Sequence, residues 1–135
     1  MPQGSQVLVV EDEPVSLEIT RELLEEAGLH VDWAENGRIA VEKAATRRYA
    51  LILMDMQMPE VDGLEATRQI RQLPEYARVP ILAMTANAFA EDRRRCLGAG
   101  MDDYLIKPFE PEVLLGAMER WLGLPAEQDA GIVVQ

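Results

Sequence analysis

Five short apolar runs, each followed by a longer segment with helical periodicity, constrain this chain more than any other feature. The runs are VLVV at Val7–Val10, LHVDWA at Leu29–Ala34, ALILM at Ala50–Met54, VPILAM at Val79–Met84 and DYLI at Asp103–Ile106. Such alternation is expected of repeated βα units. The first, third and fourth runs are nearly continuous in apolar residues, which predicts strands buried on both faces of a parallel sheet. The intervening segments Pro14–Ala27, Gly37–Arg48, Gly63–Leu73, Asn87–Ala99 and Glu110–Leu122 supply five helices. In the first, Val15, Ile19, Leu23 and Ala27 recur as an apolar stripe while Glu18, Glu22 and Glu25 face water. Pro14 suits a first helical turn and Gly28 a stop. Right-handed crossovers then lay helices on both faces of the sheet, giving a doubly wound α/β domain.

The 135 residues suffice for one domain with a real core, and 48% hydrophobic with 27% charged residues is ordinary for a globular chain. Net charge is −11, which repels a phosphate backbone or an anionic membrane and favours a cation or a basic protein partner. Cys96 is the only cysteine, so there is no intrachain disulfide and no cysteine cluster for zinc, and a reducing cytoplasm is the natural setting. No stretch approaches the ~20 apolar residues of a spanning helix, and MPQGSQ is no signal peptide. The pattern divides the chain into a disordered segment at 1–5, a domain at 6–124 and a tail or linker at 125–135.

In open parallel sheets, ligands sit beyond the carboxyl ends of the strands. There the first strand ends in Glu11-Asp12, the third in Asp55, the fourth in Thr85 and the fifth in Lys107. Three carboxylates brought together repel unless a cation intervenes, and an all-oxygen set suits Mg²⁺. Within that acidic cup Asp55 is the candidate nucleophile, because carboxylates form aspartyl phosphates. Thr85 can hydrogen-bond a phosphoryl oxygen, while Lys107 neutralises charge on the others.

The motifs VLVVEDEP, LILMDMQMPEVDGLEATRQIR, PILAMTANA and GMDDYLIKPF occur in order and at suitable intervals. Through them, Gln6 to Leu124 resembles a receiver domain of the two-component response-regulator family. The resemblance implies a flavodoxin-like (βα)5 fold with strand order 2-1-3-4-5. It also implies Mg²⁺ on Asp12 and Asp55, with Glu11 acting through water and the Gln57 backbone carbonyl as a further ligand, and phosphorylation on Asp55. Glu11 stands where the family also uses aspartate, which keeps the charge and lengthens the reach. Lys107-Pro108 resembles the family's cis peptide. Thr85 would move toward the phosphoryl group and Tyr104 inward, changing the surface of the fourth helix, fifth strand and fifth helix. Gln57 and Asn87 would tune phosphoryl lifetime.

By the same resemblance the donor is a histidine kinase or histidine phosphotransfer domain, docking on the apolar positions of the first helix with the neighbouring loops; a phosphorylation-dependent homodimer through the fourth-helix to fifth-helix face is a separate expectation that does not follow from the resemblance. The chain is then a signalling domain, not an enzyme in its own right, catalysing only its own phosphorylation and slow dephosphorylation. The net charge argues against direct contact with nucleic acid or membrane, and with no DNA-binding element after the fifth helix a transcription-factor output is expected to be absent or cut away. The motifs favour receivers fused to hybrid histidine kinases over a free-standing regulator.

Competing explanations exist for each residue. Asp55 could be a turn residue, Glu11-Asp12 a charge at a helix start, Thr85 a helix cap and Lys107 a solvated amine. Tyr104 suits a half-buried strand position, Trp33 and Trp121 packing, and Cys96 and Met101 semi-buried filling. Arg93–Arg95 form either a solvated face or a contact for an acidic partner. His30 begins a strand without an evident partner and is not the expected phosphodonor. A phosphatase of the haloacid dehalogenase class needs an aspartate where this chain has Gln57, and a flavodoxin's FMN phosphate would be repelled by Glu11-Asp12-Glu13. The remaining alternative is a receiver-like interaction module that is not phosphorylated.

Overall fold

The computed structural model describes residues 5–56, 63–86, 90–107 and 109–123, with residues 90–93 described in backbone only. Five parallel strands, β1 (Gln6–Val10), β2 (His30–Ala34), β3 (Leu51–Asp55), β4 (Ile81–Thr85) and β5 (Asp103–Ile106), form one sheet in the order 2-1-3-4-5. Among the described residues the helices are α1 (Pro14–Glu26), α2 (Gly37–Thr46), α3 (Gly63–Arg71), α4 (Ala90–Ala99) and α5 (Pro111–Leu122), with a 3-10 turn at Pro74–Tyr76.

Side-chain alternation along the strands divides the core into two layers. Leu8, Val10, Ile52, Met54, Ile81 and Ala83 pack with Ala40, Ala66, Ile70 and Cys96 from α2, α3 and α4. Val7, Val9, Leu51, Leu53, Leu82 and Met84 pack with Leu24, Leu114, Met118 and Leu122 from α1 and α5. Every described residue of β3 and β4 is buried, as continuous apolar runs require when both faces are covered. β3 runs one residue further than the apolar pattern, so Asp55 is itself a strand residue paired with Met84.

Helix α1 differs from the expected stripe. Val15 and Ile19 are 62% and 53% exposed, whereas Thr20 and Leu24 are buried and Leu17 and Leu23 pack against the second layer. A strict four-residue repeat drifts around a helix of 3.6 residues per turn, and the inward line is the 17-20-24 spacing, disguised by a buried threonine. The helix starts with Pro14 in its first turn, but its cap is Glu13, whose carboxylate accepts the Ser16 N–H at 2.9 Å, and not Glu11 or Asp12. Gly28 ends it at φ 92°, a left-handed conformation that suits glycine.

Trp33 is another correction: it is 45% exposed, with the Lys43 ammonium 5.6 Å from its ring centroid. Trp121 does pack on the second layer, and Cys96 and Met101 are fully within the first. Ser5, placed in the N-terminal segment by the sequence pattern, is buried and its carbonyl accepts the His30 N–H at 2.9 Å.

Candidate phosphoacceptor site

Parallel strands bring all their carboxyl ends to one edge, and the ladder sets which ends are neighbours. Val10 of β1 lies beside Met54 of β3, Asp55 beside Met84, and Thr85 beside Ile106. The residues following these pairs therefore converge. Glu11, Asp12, Asp55 and Lys107 line one cleft of about 240 Å³ together with Glu13, Ser16 and Ala86.

Carboxylate oxygens of Glu11, Asp12 and Asp55 lie within 4.8 Å of one another. Glu11 and Asp55 are buried and Asp12 is exposed. Lys107 reaches into the group: its Nζ donates to Glu11 Oε1 at 2.7 Å and lies 3.7 Å from Asp55 Oδ2. Backbone geometry supports that reach, because the Lys107 N–H donates to the Thr85 carbonyl at 2.8 Å, extending the β4–β5 ladder past the last paired residues. Glu11 Oε2 accepts the Glu13 N–H at 3.2 Å, which holds the carboxylate at the start of α1.

Burial pushes the Glu11 carboxyl above the ordinary carboxylate range; Lys107 pulls it back and Asp55 pushes it further up. At the exposed rim, the Ser16 N–H holds Glu13 below that range. A buried carboxylate pair with one ammonium and an exposed third carboxylate leaves an oxygen-rich, net negative pocket. Its donors fit a hard divalent cation such as Mg²⁺.

Thr85 is buried at the end of β4, next in sequence to Ala86 on the cleft wall. Tyr104 is half-buried on β5, beside Ala83, and packs against the first core layer. The structure thus gathers Glu11, Asp12, Asp55 and Lys107 directly, with Thr85 adjoining and Tyr104 on the next strand. Gln57, Asn87 and Pro108 lie outside the described residues. His30 is exposed at the amino end of β2, the opposite edge of the sheet from Asp55. Ser16 and Ala86 were not singled out from the sequence; extending the strand-end rule by one residue past Thr85 finds Ala86, whereas Ser16 reaches the cleft only through the packing of α1.

Comparison with known proteins identifies the family. The family profile of the response regulator receiver domain matches residues 7–119. The chain is 44% identical over 115 residues to the signal transduction histidine-protein kinase BarA of Escherichia coli K12, covering 85% of this chain and 12% of the length of that kinase. It is also similar to the crystal structure of the receiver domain of sensor histidine kinase PA1611 from Pseudomonas aeruginosa PAO1, with TM-score 0.84, 45% identity and coverage of 89% of this chain and 98% of that one. That receiver has a magnesium ion coordinated in its active site cleft. The chemotaxis protein CheY4 of Vibrio cholerae superposes with TM-score 0.84 at 32% identity, covering 87% of this chain and 98% of that one. The chain belongs to the response regulator receiver domain family.

Proposed function

We propose that this receiver accepts a phosphoryl group on Asp55 and passes the resulting change to its α4–β5–α5 surface. The observation that carries the reading is the single cleft in which Asp55, Glu11, Asp12 and the Lys107 ammonium converge. An Asp55 carboxylate oxygen attacks phosphorus, the bond from phosphorus to the donor's imidazole nitrogen breaks, and the imidazole takes up a proton. Asp12 and Asp55 would hold Mg²⁺, with Glu11 through water and the Gln57 carbonyl as a further ligand. When bound, the metal supplies charge neutralisation for the acceptor and the phosphoryl oxygens.

Lys107, already within 3.7 Å of Asp55, turns from Glu11 toward the new phosphoryl group. The Thr85 hydroxyl donates to another of its oxygens, and the displacement of that strand end lets Tyr104 move inward. A phosphoryl group adds about −1.5 to −2 charge and strong acceptors, enough to bias such a two-state element. Gln57 and Asn87 would tune the lifetime of the phosphoryl group, as the family resemblance implies.

The donor is a histidine kinase or histidine phosphotransfer domain, and signalling follows from its occupancy, with a homodimer as one output. Docking on α1 is supported by the exposed Ile19, which with Ser16 and Thr20 lines a depression shared with Lys107 and Phe109, and by Val15, exposed one turn earlier. Among the described residues no helix is long and apolar enough to cross a membrane. The test is intact-protein mass after incubation with acetyl phosphate and Mg²⁺, with and without chelator, for the native chain and Asp55→Asn. One phosphoryl increment that requires the metal and disappears in the variant is expected. Its absence, or its survival in Asp55→Asn, would replace this reading with an interaction module that is not phosphorylated.

A further inference from the structure

Gly63, the first residue of α3, is buried against the strand that carries the proposed phosphoacceptor. A Cβ built there would lie 2.6 Å from the backbone carbonyl oxygen of Asp55, 3.0 Å from Met56 Sδ and 3.1 Å from Met54 Cγ. The nearest atom is backbone, so the contact cannot be relieved by turning a side chain. Neither partner yields easily. Asp55 is held in the ladder beside Met84, and the Met56 N–H donates to the Met84 carbonyl at 3.0 Å. On the helix side, Thr67 Oγ1 donates to the Gly63 carbonyl at 2.7 Å, and Ala66, Thr67 and Ile70 are fully buried.

We propose that Gly63 is a positioning residue for Asp55: its missing side chain lets the start of α3 seat directly on the Asp55 peptide and so fixes the carboxylate relative to Lys107 and the other acidic groups. The proposal rests on Asp55 being the acceptor. A methyl group at Gly63 tilts the Asp55 peptide away from the helix. Misplacements near 1 Å in such sites cost transfer rates on the order of tenfold to a hundredfold.

The test compares Gly63→Ala with Gly98→Ala, a helical position where a Cβ meets no atom within 4 Å. Folding is followed by circular dichroism and melting, Mg²⁺ affinity by calorimetry, transfer from acetyl phosphate by mass, and backbone amide shifts of Glu11, Met56 and Lys107 by NMR. In folded Gly63→Ala, well below its melting point, Mg²⁺ binding should weaken and transfer slow by about tenfold. The three amide shifts should change more than in Gly98→Ala, which keeps native values for binding and transfer. A loss of stability alone would leave the folded protein with native affinity and native shifts, and that result overturns the proposal. Should Gly63→Ala not fold, Thr67→Val decides. It releases the Gly63 carbonyl without adding atoms at the contact and should weaken Mg²⁺ binding in the same direction, whereas native affinity there also overturns the proposal. If the native chain takes up no phosphoryl group, the acceptor assignment fails by itself, and the positioning claim is still read from metal affinity and amide shifts.

Discussion

At the scale of single residues, Lys107 is the most informative group because it already belongs to two partners. Its ammonium donates to Glu11 at 2.7 Å and stands 3.7 Å from Asp55, so in the proposed phosphorylation its transfer to a phosphoryl oxygen needs only a short movement. Glu11 is long enough to reach the lysine while anchored to the Glu13 N–H, a geometry the sequence suggested only as extra reach. Lys107→Met removes a donor to charge that develops during transfer, and such losses cost about 10²–10³ in rate. Uptake from acetyl phosphate should fall by about that factor. Mg²⁺ affinity, measured by calorimetry, should not weaken, because a positive charge leaves the neighbourhood of the ligands. A parallel loss of metal affinity would make Lys107 a support for the acidic cup and not a stabiliser of the phosphoryl group.

At the scale of elements, the strands were legible because β1, β3 and β4 are buried on both faces and their sequences are apolar throughout. The strand-end rule then located Glu11, Asp12, Asp55 and Lys107. Features that depend on distant partners were not legible. Arg71 of α3 donates to the carbonyls of Gly100, Tyr76 and Val79 and to Asp102, tying α3 to the turns before β4 and β5. Nothing local distinguishes it from the exposed Arg68. Gly63 and Asp32 are similar cases. Asp32 of β2 accepts from Lys43 at 3.0 Å, from Arg47 at 2.7 Å and from the Tyr49 hydroxyl at 2.6 Å, linking β2 to α2 and to the start of β3. Burial alone would raise its pKa, but the hydrogen bonds from Tyr49, Lys43 and the Trp33 N–H outweigh it and hold the carboxyl at about 2. Because the folded pKa lies below the unfolded value, the contribution is complete above about pH 4 and is lost as pH falls toward 2. After allowance for solvent screening it amounts to about 1–2 kcal/mol. Thermal unfolding between pH 5 and 2 should therefore decline more steeply in the native chain than in Asp32→Asn, and equal slopes would remove this linkage.

At the scale of the whole molecule, the proposed docking on α1 sets recognition beside the chemistry but apart from it. The cleft holds the acidic residues and Lys107, while Val15 and Ile19 lie exposed on α1, Ile19 lining a depression that also reaches Lys107. The misread helix stripe has its physical meaning here: two aliphatic side chains kept out of the core leave an apolar patch on a chain of net charge −11. On the proposed docking, a protein donor buries this patch as it brings its phosphorylated histidine to Asp55, whereas acetyl phosphate needs only the cleft. Val15→Glu places a carboxylate in that patch, outside the depression that Ile19 shares with Lys107. Removing a central interface anchor typically costs more than 1 kcal/mol, and a desolvated charge adds to it. Transfer from a phosphorylated histidine phosphotransfer domain that serves the native chain should consequently fall by about tenfold or more. Uptake from acetyl phosphate should stay within about twofold, since the surface change leaves the reacting groups in place. Equal losses from both donors would show that the α1 patch supports the site itself, and unchanged transfer from the protein donor would move the docking surface elsewhere on the domain.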